Sequence, residues 1–111
     1  MDRVADPVIE EVLRTVVPRL VALLDPKLIL AFGSRARGDA IAESDLDLLI
    51  VSERFASIPF LARAFSVLEA VEFPVAVDLL CYTPEELEQK RAELGTVSAA
   101  LDEGLVLQIS E

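Results

Sequence analysis

Three short apolar runs do most to limit what this chain can fold into. Residues 28–32, 46–51 and 75–81 are five to seven residues long and almost wholly aliphatic, the length and texture of buried strands rather than of helices. Between them lies helical spacing. Asp6-Pro7 reads as an N-cap followed by proline in the first turn, and Val8, Ile9, Val12, Leu13, Val16, Val17, Leu20 and Leu24 then recur at helical intervals. Pro18 lies inside that stretch and should kink or divide it, because it cannot donate to the carbonyl four residues back. Asp25-Pro26 is a turn. Pro59 opens a second helix, with Leu61, Ala64, Phe65 and Leu68 on its buried face and Arg63 and Glu69 off it. Thr83-Pro84-Glu85-Glu86 has capping-box spacing, Gly95 interrupts the helix that follows, another short helix stops at Gly104, and 105–109 forms a last strand. The expectation is an α/β (α+β) fold, a mixed sheet of about four strands flanked by helices, with residues 1–111 as one domain.

Composition narrows the function classes. An apolar share of 53% suits a packed core, and no uncharged, proline-free stretch approaches the roughly 18 residues of a membrane span. Acidic residues at Asp2, Asp6, Glu10 and Glu11 do not suit a signal peptide, so a cytoplasmic protein is expected. The chain has no histidine, which removes Ser–His and Cys–His catalysis and His-ligated zinc. The single cysteine, Cys81, excludes an internal disulfide and reads as a small buried hydrophobe. Twenty acidic against ten basic residues give a net charge of −10; that disfavours nucleic acid as a partner and favours cationic metals or a basic protein.

The chemistry is concentrated where the composition turns abruptly small and polar, in Phe32-Gly33-Ser34-Arg35-Ala36-Arg37-Gly38-Asp39 and then Ser44-Asp45-Leu46-Asp47. Asp45 and Asp47, two apart at a strand start, should point to one side with alpha carbons roughly 6.6 Å apart. Asp78 interrupts an apolar run and needs compensation; if its strand pairs beside theirs it converges from about 4.8 Å away. Three such carboxylates raise one another's proton affinity, and a hard divalent cation reverses that penalty. Gly33 lets the backbone turn and approach a ligand closely. Ser34 offers a hydroxyl and an N–H to phosphate, and Arg35 or Arg37 could add charge-assisted bonds.

These residues resemble a known signature. Gly33-Ser34, ten residues, then Asp45-Leu46-Asp47 is similar to the pattern of the DNA polymerase beta-type nucleotidyltransferase superfamily. The string Gly-Ser-Arg-Ala-Arg-Gly at 33–38 with Ser-Asp-Leu-Asp at 44–47 resembles its minimal nucleotidyltransferase (MNT) branch. The resemblance implies that Asp45 and Asp47 are the metal-binding pair and that Asp78 is a third metal-binding carboxylate, able to help deprotonate an acceptor hydroxyl. It implies that Ser34 contacts the triphosphate of ATP, with two Mg²⁺ ions as cofactor. It also implies a partner. Minimal nucleotidyltransferases are commonly paired with a helical HEPN ribonuclease toxin, to which they act as antitoxin, and some transfer AMP to a toxin tyrosine.

The expected function is therefore Mg²⁺-dependent transfer of a nucleoside monophosphate to a hydroxyl of a partner protein, in a homo- or hetero-oligomer that supplies the acceptor site. Competing readings are an antitoxin that works by binding alone, and transfer to a small molecule or an RNA end. Arg35 and Arg37 could equally be surface residues of a short helix. Asp39 and Glu43 read as solvated loop charges, and Lys90 and Arg91 as a solvated helix face.

Overall fold

The computed structural model describes residues 6–93 and 95–110. Asp6 caps the first helix as its position promised, its Oδ1 accepting from the backbone N–H groups of Val8 at 2.9 Å and Ile9 at 3.1 Å. Helix α1 (Pro7–Glu11) runs through a π-helical turn, Val12–Val16, into α2 (Val17–Leu24). The division follows from Pro18. Its missing N–H breaks the ladder, and the Val17 N–H reaches the carbonyl of Val12, five residues back. Asp25 ends α2 in the left-handed region at φ 46°, its N–H returned to Val21, a conformation that aspartate tolerates better than most residues.

Four strands follow the apolar runs: β1 (Leu28–Phe32), β2 (Leu46–Val51), β3 (Val77–Tyr82) and β4 (Leu105–Ile109). They form one mixed sheet in the order β3-β2-β1-β4, with β1 antiparallel to both β2 and β4 and β2 parallel to β3. The third strand starts at Val77 rather than at residue 75, because pairing begins where Val77 comes opposite Leu46. Helix α3 (Gly33–Arg37) leaves the end of β1, and the parallel crossover from β2 to β3 carries a 3-10 turn at Glu53–Ser57 and α4 (Phe60–Ala70). Helix α5 (Pro84–Arg91) opens with the expected capping box, since Thr83 and Glu86 each accept from the other's backbone N–H. Helix α6 (Thr96–Glu103) ends at Gly104.

The two sheet faces are covered unequally. One face, with Ile29, Ala31, Leu46, Leu48, Ile50 and Cys81, packs against Ile9, Val12, Val16 and Leu20 of the first helices and Val67 of α4. The other, with Leu30, Leu49, Val51 and Tyr82, packs against Val97 and Ala100 of α6. By strand alternation Asp47 and Asp78 belong to this second face.

Helix α4 is turned against the expectation. Its buried residues are Arg63 and Val67, while Leu61 is 93% exposed, Phe65 64% and Leu68 44%. The reason is polar. The Arg63 guanidinium donates to the carbonyls of Ile58 (2.9 Å) and Cys81 (3.1 Å) and bidentately to Glu86 (2.6 and 3.2 Å), and it lies against the rings of Phe55 and Phe60. A fully satisfied guanidinium with an apolar stem can take a core position that hydrophobicity alone would deny it.

Candidate active site

Strand register builds the centre of the site. In the β2–β3 pairing Asp47 stands directly opposite Asp78, and in the β1–β2 pairing it stands opposite Phe32. Side chains paired this way point to one face from adjacent strands about 4.8 Å apart. Asp45 lies one residue before β2 and is exposed, as is Asp78, whereas Asp47 is half-buried between its neighbours.

The proton affinity of Asp47 registers this company. Its carboxyl is held above the usual carboxylate range, first by burial and then by the negative charges of Asp78 and Asp45, with Arg37 pulling the other way. So the fields of all three aspartates overlap at Asp47, and Arg37 stands close enough to oppose them. Among the described residues no three ligand-type side chains are already drawn together as a closed metal shell. Like charges hold one another apart, and the two outer carboxylates, being exposed, have room to close around a cation. An all-carboxylate donor set suits a hard divalent ion such as Mg²⁺ and gives a soft metal no thiolate or imidazole.

Gly33 is required on two counts. Its φ of +76° lies in the left-handed region, and a Cβ there would collide with Oδ2 of Asp47. The turn out of β1 thus brings bare backbone against the central carboxylate, and Ser34 follows in the first turn of α3. Helix α3 ends at Gly38, where the N–H groups of Gly38 and Asp39 return to the Ser34 carbonyl.

The two arginines of the motif part company. Arg37 is half-exposed, with Nε 3.3 Å from Asp39, and shares the site with Asp47. Arg35 is not brought to it. It is 4% exposed, and its guanidinium donates to Asp6 and to the carbonyls of Ile41, Ala42 and Ser44, so its donors face away from any phosphate. Cys81 is buried, its thiol pushed up to about 12, which keeps it protonated and un-nucleophilic.

Farther along the same face, a cleft of about 280 Å³ opens between β3 and α5–α6, lined by Leu80, Tyr82, Lys90, Glu93, Thr96 and Val97. Leu80 follows Asp78 by one period of the strand, roughly 6.6 Å. Lys90, read from sequence as part of a solvated face, lines this cleft while pairing with Glu93 at 3.7 Å. Leu80 and Tyr82 could have been found by stepping two residues at a time from Asp78; Thr96 and Val97 join them only through the packing of α6.

Among solved structures, a Sulfolobus solfataricus protein described as a nucleotidyltransferase is similar at 21% identity over 93% of this chain and 75% of its own, with a TM-score of 0.49. A toxin-antitoxin crystal structure with AMP-PNP is similar at 22% identity over 96% of this chain and 75% of its own, with a TM-score of 0.45. No curated protein matches. The model of the nucleotidyltransferase domain family matches residues 11–107, from the end of α1 into β4 and including Asp45, Asp47 and Asp78, and the chain belongs to the nucleotidyltransferase domain family.

Proposed function

We propose that this chain transfers a nucleoside monophosphate, AMP from ATP, to a hydroxyl of a partner protein, and that it serves as antitoxin to a HEPN-type ribonuclease toxin. The observation that carries the transfer is the placement of Asp47. It lies opposite Asp78 in register, beside the bare backbone of Gly33, within the field of Asp45. Asp45, Asp47 and Asp78 would hold two Mg²⁺ ions, which supply Lewis-acid stabilisation of charge at the phosphate oxygens when bound. Ser34, with its hydroxyl and N–H, and Arg37 would hold the triphosphate tail. The cleft beyond Leu80, of about 280 Å³, would take the nucleoside.

The acceptor hydroxyl gives its proton to Asp78, whose exposed edge position leaves it open to an incoming group. The acceptor oxygen attacks the α phosphorus in line as the bond to the bridging oxygen breaks, and pyrophosphate leaves. A protein acceptor suits α4, which turns Leu61, Phe65 and Leu68 to solvent. That same stripe supports the second reading, neutralisation by binding alone.

The deciding experiment incubates the protein with each of the four α-labelled nucleoside triphosphates and Mg²⁺, with and without the protein that co-purifies with it. Label moving to that protein, and only with Mg²⁺, is the expected result. A stable complex with no label transferred from any triphosphate would favour binding alone.

A further inference from the structure

The geometry points to Arg35 as a positioning residue that fixes Asp45 in place by gripping the loop before it. The grip is dense. From its position in α3, Nε and Nη2 both donate to the Ser44 carbonyl, at 3.1 and 2.9 Å, and Nη2 also reaches the carbonyls of Ala42 (3.1 Å) and Ile41 (3.4 Å). Nη1 takes both oxygens of Asp6, at 3.2 and 3.1 Å. The loop closes on itself as well, Ser44 N–H donating to the Ile41 carbonyl and Ile41 N–H to the Ser44 hydroxyl, both at 3.0 Å.

Asp45 is consequently pinned on both sides. The carbonyl before it is held twice by Arg35; the amide after it, of Leu46, donates to Ala76 at 2.9 Å, and the Leu46 side chain is fully buried. Asp45 itself is left exposed. A buried guanidinium carries a large desolvation penalty, which a merely solvated loop would not require. Orientation of a reacting group, by contrast, is sensitive to displacements of about 1 Å. Asp6 completes the lock, capping α1 with Oδ1, one of the two oxygens that hold Nη1. Arg35 therefore joins the first helix, the motif helix and the start of β2 around a single site carboxylate.

This inference rests on the reading of Asp45 as a site carboxylate, so its test has one readout that needs no activity. Arg35→Lys keeps a charge for Asp6 but loses the planar fork that spans several carbonyls. In the unliganded protein, amide hydrogen exchange over residues 41–46 should accelerate by about tenfold, with the amides of Leu48 to Val51 unchanged. In the transfer assay kcat should fall by about tenfold to a hundredfold, with KM for ATP within about threefold of the wild type. If Arg35→Lys does not fold, Asp6→Asn replaces it. Asparagine caps a helix as well as aspartate, and exchange over 41–46 should then rise by about threefold. Unchanged exchange over 41–46 in the folded variant overturns the inference. So does acceleration spread evenly over the whole chain, and so does a raised KM for ATP with kcat intact, the sign of a phosphate contact. If the wild type transfers nothing, the transfer reading fails, and the exchange result still decides whether Arg35 grips the loop.

Discussion

Arg35 and Arg63 are each 4% exposed, and each pairs with a carboxylate that caps a helix: Asp6 at the start of α1, Glu86 in the capping box of α5. The device is the same, but the carbonyls they hold differ. Arg63 takes Ile58 and Cys81, tying α4 to the far end of β3. Arg35 takes Ile41, Ala42 and Ser44, the loop that delivers Asp45. A buried guanidinium is thus a general means of joining elements distant in sequence, and its consequence for function depends on what lies next to the carbonyls it holds.

The largest separation between the two regions should appear on removing a site carboxylate. Asp45→Ala should cut transfer by at least about a hundredfold while the thermal midpoint stays within a few degrees, read by circular dichroism beside the labelled-ATP assay. At the other end, Arg63→Ala should reverse the pattern. It removes the guanidinium that the Ile58 and Cys81 carbonyls and Glu86 share and destabilises by about 3 kcal/mol, measured by urea unfolding, with the kcat of the remaining folded protein unchanged. Equal losses of stability in both would erase the distinction.

Gly33→Ala should fall between. Forcing a side chain to φ +76° costs about 1–2 kcal/mol, and the added methyl displaces Asp47, so both stability and transfer decline.

The smallest effect is one of sign with pH. Asp47 has a raised proton affinity, so the folded state binds its proton more readily than the unfolded chain. The stability lost to its ionisation is absent below the ordinary value of 3.8 and grows as pH rises through the raised one. Glu86 is lowered, chiefly by its hydrogen bond from Arg63; its contribution is present above 4.5 and is lost as pH falls through the folded value. At pH 7, Asp47→Asn should therefore stabilise the metal-free protein and Glu86→Gln destabilise it, each by less than about 1 kcal/mol after solvent screening. Both differences should shrink in acid, as thermal melts from pH 7 to pH 3 would record.

Much of this was legible because it is local. The Asp6 cap, the Thr83–Glu86 box and the strands at 28–32 and 46–51 follow from residues within a few positions of one another. Pro18 announced a break, though not that the break would take π-helical form. The convergence of Asp47 and Asp78 could be foreseen only on condition that their strands pair, since 31 positions separate them. The face of α4 could not be read, because both its sides carry apolar residues and the choice is made by Glu86 and two carbonyls. The motif alone offers Arg35 as a phosphate contact or a surface residue for the same reason: Asp6, which claims it, stands 29 residues earlier. Partners distant in sequence decide what an arginine does, and its neighbours in the motif do not reveal them.

The most direct test of the account measures Mn²⁺ binding, by electron paramagnetic resonance, in the presence of a non-hydrolysable ATP analogue, comparing the wild type with Asp47→Asn. The account predicts that the wild type binds Mn²⁺ and that the variant binds at least about tenfold more weakly, with its fold unchanged. Equal binding by the two would contradict the assignment of Asp47 as the centre of the site.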